Sequence, residues 1–345
     1  MRNLLGSILF GLLLLSLFLG LDVWLGYRKM VNGNSAEQVA GVHQPHSNLG
    51  WEPMPGTGRH ERAGDFSVRY SVDPDGLRHV PNQGEVRSRL WLFGDSFTFG
   101  HGVQDDEAWP SVMAREFLAP GLHVRNAGVM GYGLAQQVQR LLELEGEIQA
   151  GDRVVFAPVA VDLERSLKHF GHPSKYLFRE EKGRVEGYPD LVDGRLVTAR
   201  FDTPAQRLRA LLYNARYTGR GLQRLHHWLA PPAALEEARR LMEIARAVAE
   251  GRGARFAWLL LPQPRECLTD GYRVELSGLD FPDLKPFFPG DAEGVAAIQF
   301  PNDPHWNARG HEMAARAVSA TLLEQGVLTP EELITDPALA KRSEP

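Results

Sequence analysis

The chain of 345 residues has a single cysteine, Cys267, and no run of more than two consecutive basic residues. One cysteine excludes an internal disulfide framework and any zinc site that needs several thiolates. The formal net charge is −5 and the pI is about 6.2, so nucleic acid is not an expected partner. Hydrophobic residues make up 43% of the chain, which is enough to bury a full core.

Long hydrophobic runs are limited to one, at the N-terminus. The apolar stretch from Leu4 to Leu21 approaches the roughly 20 residues that a membrane-spanning helix needs. Trp24 and Tyr27 follow it, where an interface is expected. A cleaved signal peptide and a buried helix are the alternatives. Residues 1–27 are therefore predicted to be a transmembrane anchor or signal sequence, with the polar remainder outside the cytoplasm.

The rest of the chain divides by composition and pattern. Residues 28–48 are polar and predict a linker, and residues 49–88 predict a small β-rich lead-in with a hairpin around "DPDG". Residues 89–328 alternate strand and helix patterns, which predicts a mostly parallel sheet covered on both faces. An insertion at about 164–229, with its own hairpin and helical segment, is expected to shape the substrate site, or else to serve packing or docking. Residues 329–345 form a tail.

Four strands and four helices are predicted inside the alternating region. The strands contain, in order, "RLWLF", "HVRNAGV", "DRVVFAPVAV" and "ARFAWLLLP". The helices contain "EAWPSVMAREFL", "LAQQVQRLLELEGEI", "ALEEARRLMEIARAVAEGRG" and "ARGHEMAARAVSATLLEQG". Ligands of such open sheets bind at the carboxyl ends of the strands, so the functional residues are expected in the loops after these strands.

Ser96 follows the first of these strands, in "GDSFTFG". A serine at a strand-to-helix turn can project its hydroxyl at the carboxyl edge of the sheet, with its own N–H facing the same cavity. A simple helix cap is the alternative, because Asp and Ser are both favoured N-cap residues. The segment is not the G-x-S-x-G elbow of α/β-hydrolases, since Thr98 stands where the second glycine would be.

A nucleophilic serine needs a base, and "NDPHWNARGH" offers the best one. Asp303 precedes His305 by two residues, in a segment that Pro304 keeps out of a helix. A carboxylate placed there can orient the imidazole and stabilise its protonated form. A metal site of Asp303, His305 and His311 is the alternative, but no further cluster completes a coordination shell, so no metal is predicted.

A third segment, "NAGVMGYGLAQQ", has glycines at 128, 131 and 133 between a strand and a helix. Their spacing is not the dinucleotide-binding fingerprint G-x-G-x-x-G. The segment is interpreted as a loop whose backbone approaches another group closely and offers N–H donors. A purely structural tight turn is the alternative.

Residues 94–98 (GDSFT), 126–131 (NAGVMG) and 303–307 (DPHWN) together resemble the SGNH, or GDSL-like, hydrolases, over about residues 89–325. Their wording is most similar to a bacterial subgroup with an N-terminal anchor, often associated with envelope or exopolysaccharide modification. The resemblance implies a flavodoxin-like three-layer α/β/α domain with a serine esterase site and no cofactor. It also implies a protein anchored in the inner membrane, with its catalytic domain in the periplasm or outside the cell.

The resemblance also implies roles for single residues. Ser96 would be the nucleophile, His305 the general base and then acid, and Asp303 the orienting carboxylate. The N–H groups of Ser96 and Gly131 would donate to the oxyanion. The family's third donor, an asparagine amide, falls on Val161 here, and losing one such donor costs about 10²–10³ in rate. Asn307 is a polar candidate close to His305 in sequence.

The expected function is hydrolysis or transfer of short acyl esters, with an acylated glycan or another small ester as the substrate. The acyl groups are expected to be O-acetyl groups on envelope or secreted polysaccharide. A polysaccharide O-acetyltransferase would use the same site with a different acceptor. A non-catalytic envelope or polysaccharide-binding protein is consistent with Val161. A lipase is a weaker alternative, because the insertion shows no long apolar lid. The oligomeric state does not follow from the sequence.

Overall fold

The computed structural model describes residues 2–32, 37–46, 49–166, 187–192, 195–200, 217–218, 231–269, 279 and 281–334. Helix α1 spans Arg2–Asn32, and its stretch Gly6–Leu25 has a mean hydropathy of 2.4. Within these described ranges, α1 is the one helix that is long and apolar enough to cross a membrane. A signal sequence has the same length and composition, so these two properties do not separate an anchor from a signal sequence.

Five short strands precede the central sheet: β1 (Glu37–Ala40), β2 (His43–His46), β3 (Gly50–Pro53), β4 (Gly56–Arg62) and β5 (Phe66–Val72). They begin inside the segment for which the sequence predicts a linker. Strands β1, β4 and β5 form an antiparallel sheet with β4 in the middle, and β2 pairs with β3. These strands make up the β-rich lead-in.

The predicted hairpin around "DPDG" forms, but it is short. The Gly76 N–H donates to the Asp73 carbonyl at 2.9 Å in the turn, and the His79 N–H donates to the Ser71 carbonyl at 2.9 Å across it. Val72 and Arg78 form an antiparallel bridge between these bonds. Pro81 follows the returning segment closely, and a proline cannot donate to a strand ladder. Strand β5 also pairs along its whole length with β4, a partner that the sequence did not predict.

The elements after residue 87 are β6 (Ser88–Phe93), α2 (Ser96–Phe99), α3 (Trp109–Glu116), β7 (Leu122–Asn126), α4 (Leu134–Leu144), β8 (Arg153–Phe156), α5 (Ala160–Ser166), β9 (Gly187–Val192), β10 (Arg195–Arg200), α6 (Pro231–Gly251), β11 (Arg255–Trp258), α7 (Ala292–Ala297) and α8 (Ala308–Glu324). The four predicted strands of the alternating region are β6, β7, β8 and β11, and its four predicted helices are α3, α4, α6 and α8. All eight are confirmed.

Four parallel strands form the central sheet, in the order β11-β8-β6-β7. Counted along the chain, this is the 2-1-3-4 order of flavodoxin-like doubly wound sheets. The winding direction reverses between β6 and β8, and in such sheets the ligand crevice lies outside the carboxyl ends of the strands at this point. The turn that carries Ser96 follows β6 and therefore lies at this crevice.

Helices cover both faces of the sheet. Alternate residues of a strand point to opposite faces, so Leu90 and Leu92 pack into one core with α3 and α8. Trp91 and Phe93 pack into the other core with α4 and α6. Pro110 lies in the first turn of α3, where a missing N–H costs no helical bond. The predicted three-layer α/β/α architecture with a mostly parallel sheet is confirmed.

Arg78 joins the lead-in to the central sheet. It bridges β5 on one side and Asn126, the last residue of β7, on the other. Its side chain is buried, pairs with Asp105 at 2.8 Å and lies over the rings of Tyr70 (4.3 Å) and Phe99 (4.9 Å). A buried arginine with a charged partner and two aromatic faces holds the lead-in firmly. The lead-in is thus attached at the carboxyl end of the sheet.

Two predictions concern the insertion and the tail. The predicted hairpin exists as strands β9 and β10, which pair in antiparallel register. The predicted helical segment that precedes α6 lies outside the described residues, except for residues 217–218. At the other end, a short 3₁₀ turn at Pro330–Glu332 precedes residues 335–345, which also lie outside the described residues.

Candidate active site

The turn after β6 shows why glycine, aspartate and serine stand together. A Cβ on Gly94 would lie 2.1 Å from Thr98 Oγ1, so only glycine fits under the first turn of α2. Asp95 is the N-cap of α2, and its Oδ1 accepts the Phe97 N–H at 2.9 Å. Ser96 is then the first helical residue and is 5% exposed. Capping is done by Asp95, which leaves the Ser96 hydroxyl available for another partner.

That partner is His305, which is 209 residues away in the chain. Ser96 Oγ lies 2.7 Å from His305 Nε2 and 3.2 Å from Asp95 Oδ2. On the other side of the ring, His305 Nδ1 makes a short hydrogen bond to Asp303 Oδ1, which also accepts the His305 backbone N–H at 3.0 Å. A carboxylate at Nδ1 fixes the tautomer in which Nε2 accepts a proton. The structure thus brings together the serine, histidine and aspartate singled out in the sequence.

The imidazole of His305 lies between two rings. His101 stacks on it with centroids 4.0 Å apart and an interplanar angle of 28°, and Phe97 lies 4.8 Å away. Burial, and then the nearby His305, lowers the pKa of His101 to about 3. His101 is therefore neutral near pH 7 and does not repel a protonated His305. Both rings restrict the tilt of the imidazole that faces Ser96.

The second oxygen of Asp303 faces the lead-in. Arg62, the last residue of β4, places Nη1 2.8 Å from Asp303 Oδ2, and His101 Nε2 lies 3.7 Å from the same oxygen. Burial alone would raise the pKa of Asp303. The nearby His101 and the hydrogen bond to His305 outweigh that effect and hold this pKa well below its usual range. Asp303 is therefore a charged carboxylate in a nearly closed environment, with a side chain 4% exposed.

Sequence reasoning missed Arg62 and His101. His101 lies five residues after Ser96, just beyond α2, and its N–H donates to the Ser96 carbonyl at 3.0 Å. That short spacing is a sequence signal that could have identified His101. Arg62 has no such signal, because only the tertiary contact between lead-in and sheet brings it to Asp303.

The glycine-rich loop after β7 packs against α2. A Cβ on Gly128 would lie 2.6 Å from the Phe99 nitrogen, and Asn126 Nδ2 donates to the Thr98 carbonyl at 2.9 Å. Gly131 has a φ of +83°, a conformation that favours glycine. Among the described residues, no group accepts a hydrogen bond from the N–H of Gly131 or of Ser96. Both donors remain available to a ligand.

Two residues considered for the third oxyanion donor do not supply one. Val161 is half-buried near the start of α5 and packs against the core on the α3 side of the sheet. Asn307 is the N-cap of α8, and its Oδ1 accepts the Gly310 N–H at 3.2 Å. Its Nδ2 donates to the carbonyls of Ala297 (3.0 Å) and Gln299 (3.2 Å). The interpretation of Asn307 as a candidate donor is therefore wrong, since its amide closes a helix end.

A metal ion is disfavoured at this site. His101, Asp303 and His305 have ligand atoms within 4.8 Å of one another. However, Arg62 places a positive charge on Asp303 Oδ2, and both ring nitrogens of His305 already have partners. His311, the third residue of the metal alternative, accepts the Trp109 N–H at 3.2 Å through Nδ1. A cation would have to displace Arg62 and break the Asp303–His305 bond.

No family model matches the chain, and no curated protein matches it in sequence. Solved structures similar to it are SGNH- and GDSL-type esterases and acylhydrolases. They include the esterase EstA from Pseudoalteromonas sp. (10% identity, 69% of this chain and 98% of that chain, TM-score 0.29). A catalytic mutant of Axe2, an acetylxylan esterase from Geobacillus stearothermophilus, has 15% identity, coverages of 71% and 97% and a TM-score of 0.26. AlinE4, an SGNH-hydrolase family esterase, has 19% identity, coverages of 63% and 93% and a TM-score of 0.22. Similarities of this size carry no weight for function, which has to be argued from the site's own distances.

Proposed function

We propose that this protein is a serine esterase that hydrolyses or transfers short acyl esters through Ser96, His305 and Asp303. The proposal rests on the 2.7 Å between Ser96 Oγ and His305 Nε2, with Asp303 at Nδ1. A hydroxyl at this distance from a neutral imidazole nitrogen gives up its proton as it attacks a carbonyl carbon. No metal or cofactor is needed for such a step.

The reaction has two halves. Ser96 Oγ forms a bond to the ester carbonyl carbon while its proton moves to His305 Nε2, and the N–H groups of Ser96 and Gly131 donate to the oxyanion. His305 then gives the proton to the departing alkoxide, which leaves an acyl group on Ser96. Water, or a hydroxyl of an acceptor, loses its proton to His305 and attacks that acyl group. The alcohol or water proton bound by His305 returns to Ser96 as the acid or the new ester leaves.

Two features support the proposed substrate: the low exposure of Ser96 and the apolar helix α1. Ser96 is 5% exposed and Asp303 is equally buried, so the position around the hydroxyl suits a small acyl group such as acetyl. The apolar helix α1 precedes the catalytic residues and would tether them to a membrane. The proposed substrates are therefore O-acetyl groups on envelope or secreted polysaccharide. Acetyl is a small acyl group, and a protein anchored at the bacterial inner membrane would meet such polysaccharide.

The first experiment measures hydrolysis of p-nitrophenyl acetate by the full chain in detergent. Ser96→Ala should abolish it. Ser111→Ala is the matched control, because Ser111 is a buried serine on α3 whose hydroxyl has no partner among the described residues. Full activity in Ser96→Ala would refute the proposal. Product analysis with a sugar acceptor added would separate transfer from hydrolysis.

Val161 favours one other candidate, a polysaccharide-binding protein without catalytic activity. Its half-buried apolar side chain stands where a third oxyanion donor is expected, and an incomplete hole lowers the rate. A fluorophosphonate probe decides between the two, since it reacts only with an activated serine. Labelling at Ser96 supports the esterase, whereas folded protein that resists the probe and still binds polysaccharide supports the binding protein.

A further inference from the structure

The turn between β4 and β5 lies against the loop that carries Asp303. Within this turn, Arg62 and Asp65 form an ion pair, with Nε 3.0 Å from Asp65 Oδ2. The Asp65 N–H also donates to the Arg62 carbonyl at 3.1 Å, which closes the turn. The guanidinium is therefore oriented by its own hairpin before it meets any other part of the chain.

From this position the turn holds two successive residues of the catalytic loop. Arg62 Nη1 lies 2.8 Å from Asp303 Oδ2, and Nη2 donates to the Asn302 carbonyl at 3.0 Å. Asp65 Oδ1 accepts the Asn302 N–H at 2.8 Å and contacts its side-chain amide at 3.3 Å. The main chain of Asn302 is thus bound through both its donor and its acceptor. The carboxylate of Asp303 is bound through both its oxygens, one to His305 and one to Arg62.

We propose that Arg62 is a positioning residue of the acyl-transfer site, and that the β-rich lead-in is part of the catalytic unit. This inference rests on the proposed function. No hydrogen bond joins Arg62 and Ser96 among the contacts of the described residues. Arg62 acts by fixing the plane of the Asp303 carboxylate, which in turn orients His305. A planar guanidinium serves several acceptors in fixed directions, which the single ammonium of lysine does not.

The charges also form an ordered series. Asp65, Arg62 and Asp303 carry charges of −, + and −, so the group is negative while His305 is neutral. When His305 takes the serine proton, the four charges sum to zero. The net negative charge of Asp65, Arg62 and Asp303 therefore stabilises the imidazolium that forms as the proton leaves Ser96, while the negative charge formed in the same step lies on the oxyanion. Electrostatic stabilisation that grows along the reaction accelerates it.

The test uses the full chain in detergent with Arg62→Gln, Arg62→Lys and a matched control. The control is Arg59→Gln, because Arg59 lies on the same strand, is 62% exposed and pairs only with Glu61 among the contacts of the described residues. Three quantities are measured: the rate of fluorophosphonate labelling at Ser96, kcat and KM on p-nitrophenyl acetate, and the downfield proton resonance of His305 Nδ1–H.

Arg62→Gln should lower the labelling rate and kcat about 10- to 100-fold with little change in KM, the size expected for a displacement of about 1 Å. The Nδ1–H resonance should shift or broaden. Arg62→Lys should recover part of the rate, and Arg59→Gln should match the wild type. An unchanged labelling rate and resonance in Arg62→Gln would overturn the inference. A wild type that the probe does not label would refute the esterase instead, and the resonance would still decide the role of Arg62. If Arg62→Gln fails to fold, Arg62→Lys and Asp65→Asn carry the same comparison.

Discussion

The two sides of Ser96 differ in how completely they are built. On the proposed acid–base side, both ring nitrogens of His305 and both carboxylate oxygens of Asp303 have a partner within 3.0 Å among the described residues. On the proposed oxyanion side, the N–H groups of Ser96 and Gly131 have no acceptor among the described residues. The position where the resemblance places a third donor holds an apolar side chain, Val161. One side is a closed network, and the other is a partial one.

This difference separates two requirements of acyl transfer. Activation of the serine needs a positioned base, and the network around His305 supplies it. Stabilisation of the oxyanion needs donors at the developing charge, and each one contributes about 3–4 kcal/mol in well-studied cases. We therefore expect a nucleophile that reacts readily with electrophilic probes, and a turnover limited by the oxyanion side.

The largest effect should come from removing the base on the acid–base side. His305→Ala leaves Ser96 without a base, so kcat/KM on p-nitrophenyl acetate should fall by about 10⁴-fold. The matched control is His79→Ala, at a histidine on the surface of the lead-in that is 42% exposed. A loss smaller than tenfold in His305→Ala would show that the closed network does not activate the serine.

Adding a donor on the oxyanion side should raise kcat. Val161→Asn adds an amide donor near the start of α5, and kcat should rise by up to about 10²-fold. Val161→Leu is the control, because it keeps the position apolar and adds no donor. If kcat in Val161→Asn is no higher than in Val161→Leu, the oxyanion side is not limited by a missing donor at this position.

The smallest effect concerns stability and pH. His311, behind the acid–base side, is buried, and burial, then the nearby His305 and His101, lowers its pKa to about 3. Below pH 6.5 the unfolded chain binds a proton there that the folded chain does not bind, so stability falls as the pH drops from about 6.5 to about 3.

His311→Gln keeps an acceptor for the Trp109 N–H and removes this titration. The slope of the free energy of unfolding against pH should then decrease by up to about 1.4 kcal/mol per pH unit in that range. Urea unfolding of the full chain at pH 4, 5 and 6 measures it. An unchanged slope would show that His311 is already protonated in the folded protein. The oxyanion side, as described by Ser96, Gly131 and Val161, has no group that titrates in this pH range. This pH response therefore comes from the acid–base side.

The same contrast marks what the sequence could predict. Strands β6, β7, β8 and β11 follow from short apolar runs, and Ser96 and His305 follow from residue types placed at turns. Arg62 could not be found, because its position depends on a hairpin that packs on a distant loop. The pairing of β5 with β4 was missed for a similar reason: strand alternation reports a buried face and does not show which further strand pairs with it.

The oxyanion side was predicted least completely. The resemblance to SGNH hydrolases places Val161 where a donor is expected, but the sequence does not show whether another amide takes over. Asn307 was the nearest polar candidate in sequence, and the structure uses its amide to cap α8 and to bind two carbonyls. Proximity to His305 in the sequence therefore did not predict what the Asn307 amide binds.

The most direct test of a nucleophilic Ser96 is to look for the acyl-enzyme. The full chain is mixed with p-nitrophenyl acetate, quenched in acid within the first turnover and mapped by mass spectrometry. If Ser96 is the nucleophile, the peptide that contains it carries an acetyl group, and the same peptide of His305→Ala carries none. Release of p-nitrophenol by wild-type protein with Ser96 unmodified at every quench time, or an acetyl group on another residue alone, would contradict it.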